Sequence, residues 1–319
     1  MDDLLEILSS GQLLSLYSVV VVVCLEKRLT LPDKIHPLTL FQLLAERMAY
    51  KVNNQQSGNK LQQSIAGTLA PLVLLTPLMV LIAMLLYLAE FPLFFDTLLL
   101  FVALRFQPIM IHSKKIAVAI KQNKNTLAKH QLQDMVLRET SKLSPFGLTK
   151  ACIETMLLRF SHQYCAVLLM YLLGGGLLAI GYSLLLVFSH SWPQRLTAYA
   201  YFGRPAAFVV NILQWLPARI SACCLILSQG PLRGWQAILS KNLLRPSRFV
   251  ILDAAGRTLN IELGGPLYYN QQKLRLAKCG GDSKVKLNDI NRTITAIQQS
   301  QWLFLALYIV VVLALSTGA

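Results

Sequence analysis

Long apolar runs without interior charge dominate the hydropathy pattern of this chain. About twenty consecutive apolar residues cross the hydrocarbon core of a bilayer as a helix, so each run near that length predicts a membrane span. The run at 91–104 is short, which is typical of a tilted, partly buried or re-entrant segment as well as of a full span. The six segments that the pattern predicts are 8–25, 66–89, 91–104, 164–189, 205–229 and 301–318.

The composition agrees with this pattern. Of the 319 residues, 55% are hydrophobic and only 14% are charged, a balance that soluble domains of this size rarely have. We therefore expect an all-α polytopic membrane protein of about six transmembrane helices, forming a single integral membrane domain over residues 1–319.

The distribution of positive charge predicts the orientation. Three large connections, 26–65, 105–163 and 230–300, carry 27 of the 30 Lys and Arg residues. Because basic loops stay on the cytoplasmic side, these loops are predicted to be cytoplasmic and both termini periplasmic, in a bacterial inner (plasma) membrane. The net charge of +15 then suits contact with membrane lipids. No basic stretch is interleaved with aromatic residues as in a binding module, so no nucleic-acid partner is expected.

The cytoplasmic connections themselves are predicted to be largely helical. "LTLFQLLAERMAYKV" (38–52) has apolar residues at helical spacing and predicts a helix along the membrane face, and the stretch up to 143 predicts one or two long helices. Ser144 followed by Pro145 is a typical start of a further helix. By contrast, "RFVILDAAGRTLNIEL" (248–263) predicts two short strands about an Ala-Ala-Gly turn, a small β-hairpin.

"QWLPARIS" (214–221) places Pro217 and Arg219 inside a predicted span. A guanidinium in a membrane segment is costly unless it faces a cavity, a phosphate or the headgroup boundary, and the proline frees backbone groups that need other partners. One interpretation is that Arg219 contacts the anion of a phosphorylated substrate. The other is that it extends to the cytoplasmic interface.

Two further patterns have structural explanations. The six cysteines show no CxxC pair and no metal-ligand spacing, so they are expected to be reduced and structural. "LGGGLL" (173–178) predicts close packing of helices in the membrane.

Several phrases occur in an order that characterises one family. They are "HPLTLFQLLAERM", "LRETSKLSPFGLTKACIETM", "LGGG", "YAYFG", "NILQWLPARIS", "RPS", "LGGPLYYN" and "NDINRTI". On these phrases, which extend over nearly the whole chain, the sequence resembles the CobD/CbiB family of membrane adenosylcobinamide-phosphate synthases of cobalamin biosynthesis.

The resemblance implies a reaction. It is the amide-forming attachment of aminopropanol phosphate, or ethanolamine phosphate, to a carboxyl group of adenosylcobyric acid. Activating a carboxylate implies Mg-ATP as co-reactant, with a corrinoid and an amino alcohol phosphate as substrates. A homo-oligomer, or a complex with other cobalamin biosynthesis proteins, is the implied assembly.

The resemblance also implies site residues. Glu154 and Arg219 are the implied catalytic residues, and the metal ligands stay unassigned. Three of the implied substrate-binding residues also have a purely structural interpretation: a turn residue for His36, a capped helix end for Arg138, and the interfacial aromatic belt for Tyr268. The implied substrate-binding residues are His36, Arg138, Thr140, Ser141, Tyr199, Ser247, Gly264, Gly265 and Tyr268.

Departures from the family pattern put catalytic activity in question. Leu158, Arg159, His162 and Gln163 stand where the family usually has Glu, Asn, Asp and Gly, and Val210 and Asn211 replace two acids. A hard cation such as Mg²⁺ needs oxygen ligands, which Leu, Arg and His do not supply. Two hypotheses stay open: an enzyme in which Asp253, Asp282 or Asp289 join Glu154 as replacement ligands, and a non-catalytic membrane regulator or assembly partner comparable to AmpE.

Overall fold

Helices make up most of the computed structural model of this chain, together with one two-stranded antiparallel sheet. The structure describes residues 11–29, 35–53, 59–229, 245–269 and 272–317. In chain order the elements are α1 (Gly11–Arg28), α2 (Pro37–Val52), α3 (Lys60–Leu88), α4 (Pro92–Ala103), α5 (Gln107–Lys121), α6 (Asn125–Gln133), α7 (Pro145–Arg159), a π-helical turn (Phe160–Cys165), α8 (Ala166–Ser191), a 3-10 turn (Thr197–Tyr199), α9 (Arg204–Leu213), α10 (Trp215–Gln229), α11 (Ser247–Leu259), β1 (Glu262–Tyr269), β2 (Gln272–Gly280) and α12 (Asp289–Thr317).

The apolar helices make this a membrane protein, but the predicted count of six spans is not confirmed. Among the described residues, four helical stretches are long and apolar enough to cross a membrane, and a fifth is added if α9 and α10 together form one broken span. The helix α1 is not among these candidate spans, because its last turn carries three charged residues, Glu26, Lys27 and Arg28. The helix in the predicted segment 91–104 is α4, which has only twelve residues. It is long enough to cross a membrane only when it is counted together with α5. The four stretches are Lys60–Leu88, Pro92–Lys121, Pro145–Ser191 and Asp289–Ser316.

The chain divides into two compact units. The first comprises Met1–Arg105, Ala166–Leu213 and Tyr308–Ala319, and the second comprises Phe106–Cys165 and Gln214–Leu307. The single membrane domain expected over 1–319 stays a prediction.

In the first unit, the predicted amphipathic helix at 38–52 is confirmed as α2. It buries small residues, Ala45 and Ala49, against a cluster that includes Phe188, Trp192 and Phe202. The indole N–H of Trp192 donates a hydrogen bond to the Ala45 carbonyl at 3.0 Å. The aromatic end of α8 and the "YAYFG" segment are thereby packed against α2.

The second unit is built on α7, which begins as the sequence predicts. Ser144 is its N-cap and accepts a hydrogen bond from the Gly147 N–H at 3.2 Å, and Pro145 occupies the first turn. The preceding stretch forms two helices, α5 and α6, with Asn123 in the left-handed region between them. Around the π-helical turn, Phe106, Phe160, Tyr164 and Phe304 form an aromatic cluster.

The β-hairpin exists, but its predicted position at 248–263 is wrong. Residues 247–259 form α11, and the strands are β1 and β2, which follow it. The helix ends at Asn260, whose φ of 54° is left-handed and whose N–H caps the last turn. At Gly256 a Cβ would lie 2.6 Å from the Cα of Gly280, so the missing side chain lets the hairpin pack directly on α11.

Candidate anion-binding site

Glu154 is the centre of a buried ion-pair cluster in the second unit. Its side chain is 2% exposed. The Oε1 atom accepts a hydrogen bond from the Gly264 N–H at 2.9 Å. The Oε2 atom lies 3.3 Å from Nη1 of Arg138 and 3.6 Å from Nη2 of Arg248. Oε1 therefore has a hydrogen-bond partner, whereas Oε2 is held by two ion pairs and makes no hydrogen bond within the described part of the chain. All of these partners come from other segments of the chain.

Four segments converge to build this cluster. Arg138 precedes α7, Glu154 lies on the inner face of α7, Arg248 is in the first turn of α11, and Gly264 is in β1. Gly264 has a φ of 76°, and the register of the hairpin shifts between Gly264 and Pro266. This irregularity in the strand pairing leaves the Gly264 N–H available to the carboxylate instead of to the sheet.

The cluster carries excess positive charge. Two guanidinium groups face one carboxylate, and Lys150, one turn before Glu154 on α7, lies 3.6 Å from Glu262. Nη2 of Arg138 is buried and has no hydrogen-bond acceptor among the described residues. Arg248 and Lys150 are each about a quarter exposed, so the cluster opens on one side. Buried donors with excess positive charge and an open side are suited to binding an anion such as a phosphate or a carboxylate.

Cys279 borders the cluster without taking part in its chemistry. Burial, and next the negative charges of Asp253 and Glu154, raise the pKa of the Cys279 thiol to about 12. The thiol is therefore protonated at neutral pH, which disfavours a thiolate at this position.

Of the three other candidate acids, Asp253 and Asp289 stabilise the fold, whereas Asp282 is exposed. Asp253 accepts a hydrogen bond from the Gly280 N–H at 3.0 Å and lies 3.1 Å from Nε of Arg257. Asp289 accepts the Lys286 N–H at 2.7 Å and pairs with Arg292 at 2.9 Å. Within the described residues no group of three His, Cys, Asp or Glu side chains could hold a metal ion.

The comparisons with known proteins agree with the resemblance seen in the sequence. A family model described as "CobD/Cbib protein" matches residues 19–297. The protein "Cobalamin biosynthesis protein CobD" of Chromobacterium violaceum is 25% identical over 292 residues, which cover 90% of this chain and 93% of that protein. The protein of the same name from Stutzerimonas stutzeri is 25% identical over 301 residues, covering 91% and 96%.

The chain belongs to the CobD/CbiB family. The protein "Cobalamin biosynthesis protein CbiB" of Salmonella typhimurium is 29% identical over 196 residues, which cover 58% of this chain and 61% of that protein. No solved structure matches this chain.

Of the residues implied by the CobD/CbiB pattern, the cluster brings together Glu154, Arg138 and Gly264. Gly265 is adjacent, since a Cβ there would lie 3.8 Å from Nζ of Lys150. Thr140 is buried and anchors the Arg138 segment to α6 by donating a hydrogen bond to Oε1 of Gln133 at 2.8 Å. The Ser141 carbonyl accepts a hydrogen bond from the Lys129 ammonium. Ser247 begins α11, directly before Arg248.

Arg219 lies on α10 and is held by backbone groups. Its side chain is 8% exposed, Nη1 donates to the Trp215 carbonyl at 2.6 Å, and Nη2 donates to the Arg245 carbonyl at 3.4 Å. The guanidinium also lies over the Trp215 ring, 4.1 Å from its centroid. Neither predicted role is tested by these contacts, which tie the segment before α11 to α10.

The remaining predicted residues lie elsewhere. His36 is in the first unit, where its Nδ1 accepts the Leu38 N–H at 3.2 Å as the N-cap of α2. Tyr199, in the same unit, packs against the Trp192 cluster. Tyr268 lies on β1, where it pairs with Lys273 of β2.

Two residues of the cluster were not predicted from the sequence. Arg248 stands beside Ser247 in the shortened "RPSRFVI" stretch, and Lys150 is four residues before Glu154. The helical spacing of Lys150 and Glu154 is a signal that could have indicated a shared face. Nothing local in the sequence relates Arg248 to Glu154.

Proposed function

We propose that this CobD/CbiB family member catalyses the amide-forming attachment of aminopropanol phosphate, or ethanolamine phosphate, to adenosylcobyric acid. The observation that carries the proposal is the cationic cluster formed by segments that the family phrases contain. Arg138 and Arg248 pair with the buried carboxylate of Glu154, and Lys150, four residues before Glu154 on α7, pairs with the partly exposed Glu262. A phosphate monoester is the group of the amino alcohol substrate that such a cluster suits.

The residues of the cluster would divide the work. Arg248 and Lys150, on the open side, would bind phosphate oxygens, and the unpaired Nη2 of Arg138 would donate to one of them. Glu154 would be a positioning residue, because its oxygens are already bound by Arg138, Arg248 and Gly264. It would hold both guanidinium planes at a fixed distance and offset part of their mutual repulsion.

Mg-ATP as co-reactant remains part of this proposal by family resemblance, but the described residues do not form a resident magnesium site. Mg²⁺ needs oxygen ligands, and the carboxylates nearest the cluster are bound to arginine, lysine or backbone N–H groups. We therefore assign these residues binding and orientation only.

A second candidate function follows from the same observation. With Glu154 occupied by two arginines, and with Leu158, Arg159 and His162 at the family's acidic and amide positions, the cluster could bind an anionic ligand without turning it over. The protein would then be a membrane regulator or assembly partner, comparable to AmpE.

The placement in the cell is likewise proposed. The excess of Lys and Arg in the three large connections supports a bacterial inner membrane protein with cytoplasmic loops and periplasmic termini. The cluster would then face the cytoplasm, where corrinoid and amino alcohol phosphate substrates are available. A homo-oligomer, or a complex with other cobalamin biosynthesis proteins, is the expected assembly.

Complementation separates the two functions. We expect the chain to restore cobalamin-dependent growth on cobyric acid to a bacterium that lacks its own adenosylcobinamide-phosphate synthase. Arg248→Ala should lower the synthase rate in membranes by about tenfold to a hundredfold, since a charge-assisted hydrogen bond contributes about 1.5–3 kcal/mol. No growth, despite confirmed membrane insertion, would favour the non-catalytic function.

Arg257→Ala is the matched control. It removes an arginine from the same helix, where Arg257 pairs with Asp253 away from Glu154. This change should leave the synthase rate per folded protein within about twofold of the unsubstituted protein, because Arg257 pairs with Asp253 and not with Glu154. The free energy of unfolding should fall, since the side chain of Asp253 is only 4% exposed and loses its ion-pair partner, so the two rates are compared at equal amounts of folded protein. Equal losses in both variants would show that the cluster around Glu154 is not the site.

A further inference from the structure

A broken helix within the first unit lies against a carboxylate. The α8 helix departs from helical geometry at Gly174 (φ −162°, ψ 33°) and at Gly175 (φ 64°, ψ −162°). Immediately after the break, the Gly176 N–H donates a hydrogen bond to Oδ1 of Asp96 on α4 at 2.6 Å. Asp96 and the break both lie in stretches apolar enough to span a membrane. An ionisable residue at such a place is expensive and needs compensation.

Among the described residues, no basic side chain lies within 4.0 Å of the Asp96 carboxylate to compensate its charge. Two tyrosine hydroxyls lie near it instead. The hydroxyl of Tyr171 on α8 is directed at the Asp96 carboxylate, and that of Tyr308 on α12 interacts with the carboxylate electrostatically. Tyr171 also lies close to Ser18 of α1, whose Oγ is 2.7 Å from Oγ1 of Thr97.

The two tyrosines are not explained by packing alone. Tyr171 is 2% exposed and Tyr308 is 3% exposed, yet neither hydroxyl makes a hydrogen bond of standard geometry with the described residues. Buried hydroxyls without such a bond cost free energy unless a ligand or water satisfies them. Here both face the same carboxylate.

We propose that this cluster is a binding site for a single dehydrated monovalent metal cation such as Na⁺. One carboxylate and one monovalent cation give a neutral pair, which the hydrocarbon region tolerates far better than either charge alone. The ligands would be oxygens only: Asp96, the hydroxyls of Tyr171, Tyr308 and Ser18, and carbonyls freed where α8 is broken. Broken helices with carboxylate and carbonyl oxygens suit small cations for this reason.

The competing explanation is that Asp96 merely caps the half of α8 that starts at Gly176. A cap uses one oxygen of Asp96 and one N–H. It does not account for Tyr308, which brings a buried hydroxyl without a hydrogen bond to the described residues from another helix to the same carboxylate. The proposal is independent of the reaction assigned to the second unit.

The test compares cations on the purified full-length chain in nanodiscs. Replacing choline chloride by NaCl at constant ionic strength should raise the thermal unfolding midpoint by about 4 °C, because a ligand that binds only the folded state stabilises it. Radioactive ²²Na⁺ should be retained at about one ion per chain. Asp96→Asn should abolish both effects, whereas Asp134→Asn, at an exposed acid directly after α6, should leave both unchanged.

Tyr308→Phe keeps the test decisive if Asp96→Asn fails to fold, since it preserves the hydrogen bond between Asp96 and Gly176. Loss of one ligand should weaken Na⁺ binding by about tenfold. The proposal would be overturned by equal midpoints in NaCl and choline chloride, by Na⁺ retention in Asp96→Asn, or by unchanged Na⁺ affinity in both Tyr308→Phe and Tyr171→Phe.

Discussion

Glu154→Ala is expected to lower the free energy of unfolding by about 3–5 kcal/mol, because it leaves buried positive charge without its partner. Arg138 is 7% exposed and its charge would have no carboxylate within 4.0 Å among the described residues. The Gly264 N–H would also lose its acceptor. Denaturant titration of the purified protein in a defined detergent, followed by intrinsic fluorescence, measures the change.

Two further variants separate charge from packing. Glu154→Gln keeps an acceptor for Gly264 while removing the charge, so its loss of stability should be smaller than that of the alanine variant. Glu262→Ala is the matched control, because Glu262 is about one-third exposed and its pairs with Lys150 and Lys278 should contribute about 0–1 kcal/mol. If Glu154→Ala costs no more than Glu262→Ala, the buried cluster is not a stabilising feature.

The helical elements could be predicted because their signals are local. The apolar runs depend only on hydropathy, the Ser144–Pro145 start depends on cap chemistry, and α2 shows its buried face as helical spacing in "LTLFQLLAERMAYKV". The span count was harder because it depends on residues at segment ends. The charges at the end of α1 and the brief break between α4 and α5 change which stretches qualify.

The hairpin shows why a local pattern can mislead. "RFVILDAAGRTL" is a short apolar run about small residues, and such a run is compatible with a strand or with a buried helix. Its burial on α10, through Ala254 against Ala222 and Ile226, favours the helix. The true strand β1 contains Gly264, Gly265 and Pro266, residues with low strand propensity, and its pairing with β2 is what holds them there.

The candidate site was only partly predictable for a similar reason. The residues Glu154, Arg138 and Gly264 could be selected because the family phrases contain them. That Arg138 and Gly264 both contact Glu154 could not be predicted. Arg248 is 94 positions from Glu154, and only the packing of α11 against α7 and β1 brings the two side chains together. A contact between residues so far apart along the chain produces no periodic pattern in a single sequence.

Gly264→Ala is expected to lower the free energy of unfolding by about 3 kcal/mol and to disturb the site. The residue has a φ of 76°, which costs an L side chain about 1–2 kcal/mol. A Cβ would also lie 2.4 Å from the Ala277 carbonyl oxygen, so the strands would have to separate, at about 1–3 kcal/mol. Denaturant titration in detergent again measures the loss.

Gly265→Ala tests whether that loss comes from close approach or from the backbone angle alone. Its φ of 92° carries a similar conformational cost, but its Cβ would meet nothing nearer than Nζ of Lys150 at 3.8 Å. The expected loss is therefore about 1–2 kcal/mol, and the hydrogen bond from Gly264 to Glu154 should survive. If the two variants were equally destabilised, strand separation would not contribute. Gly264 and Gly265 would then be required for their backbone angles alone. They would not be required for the close approach of β2, which holds the Gly264 N–H against Glu154.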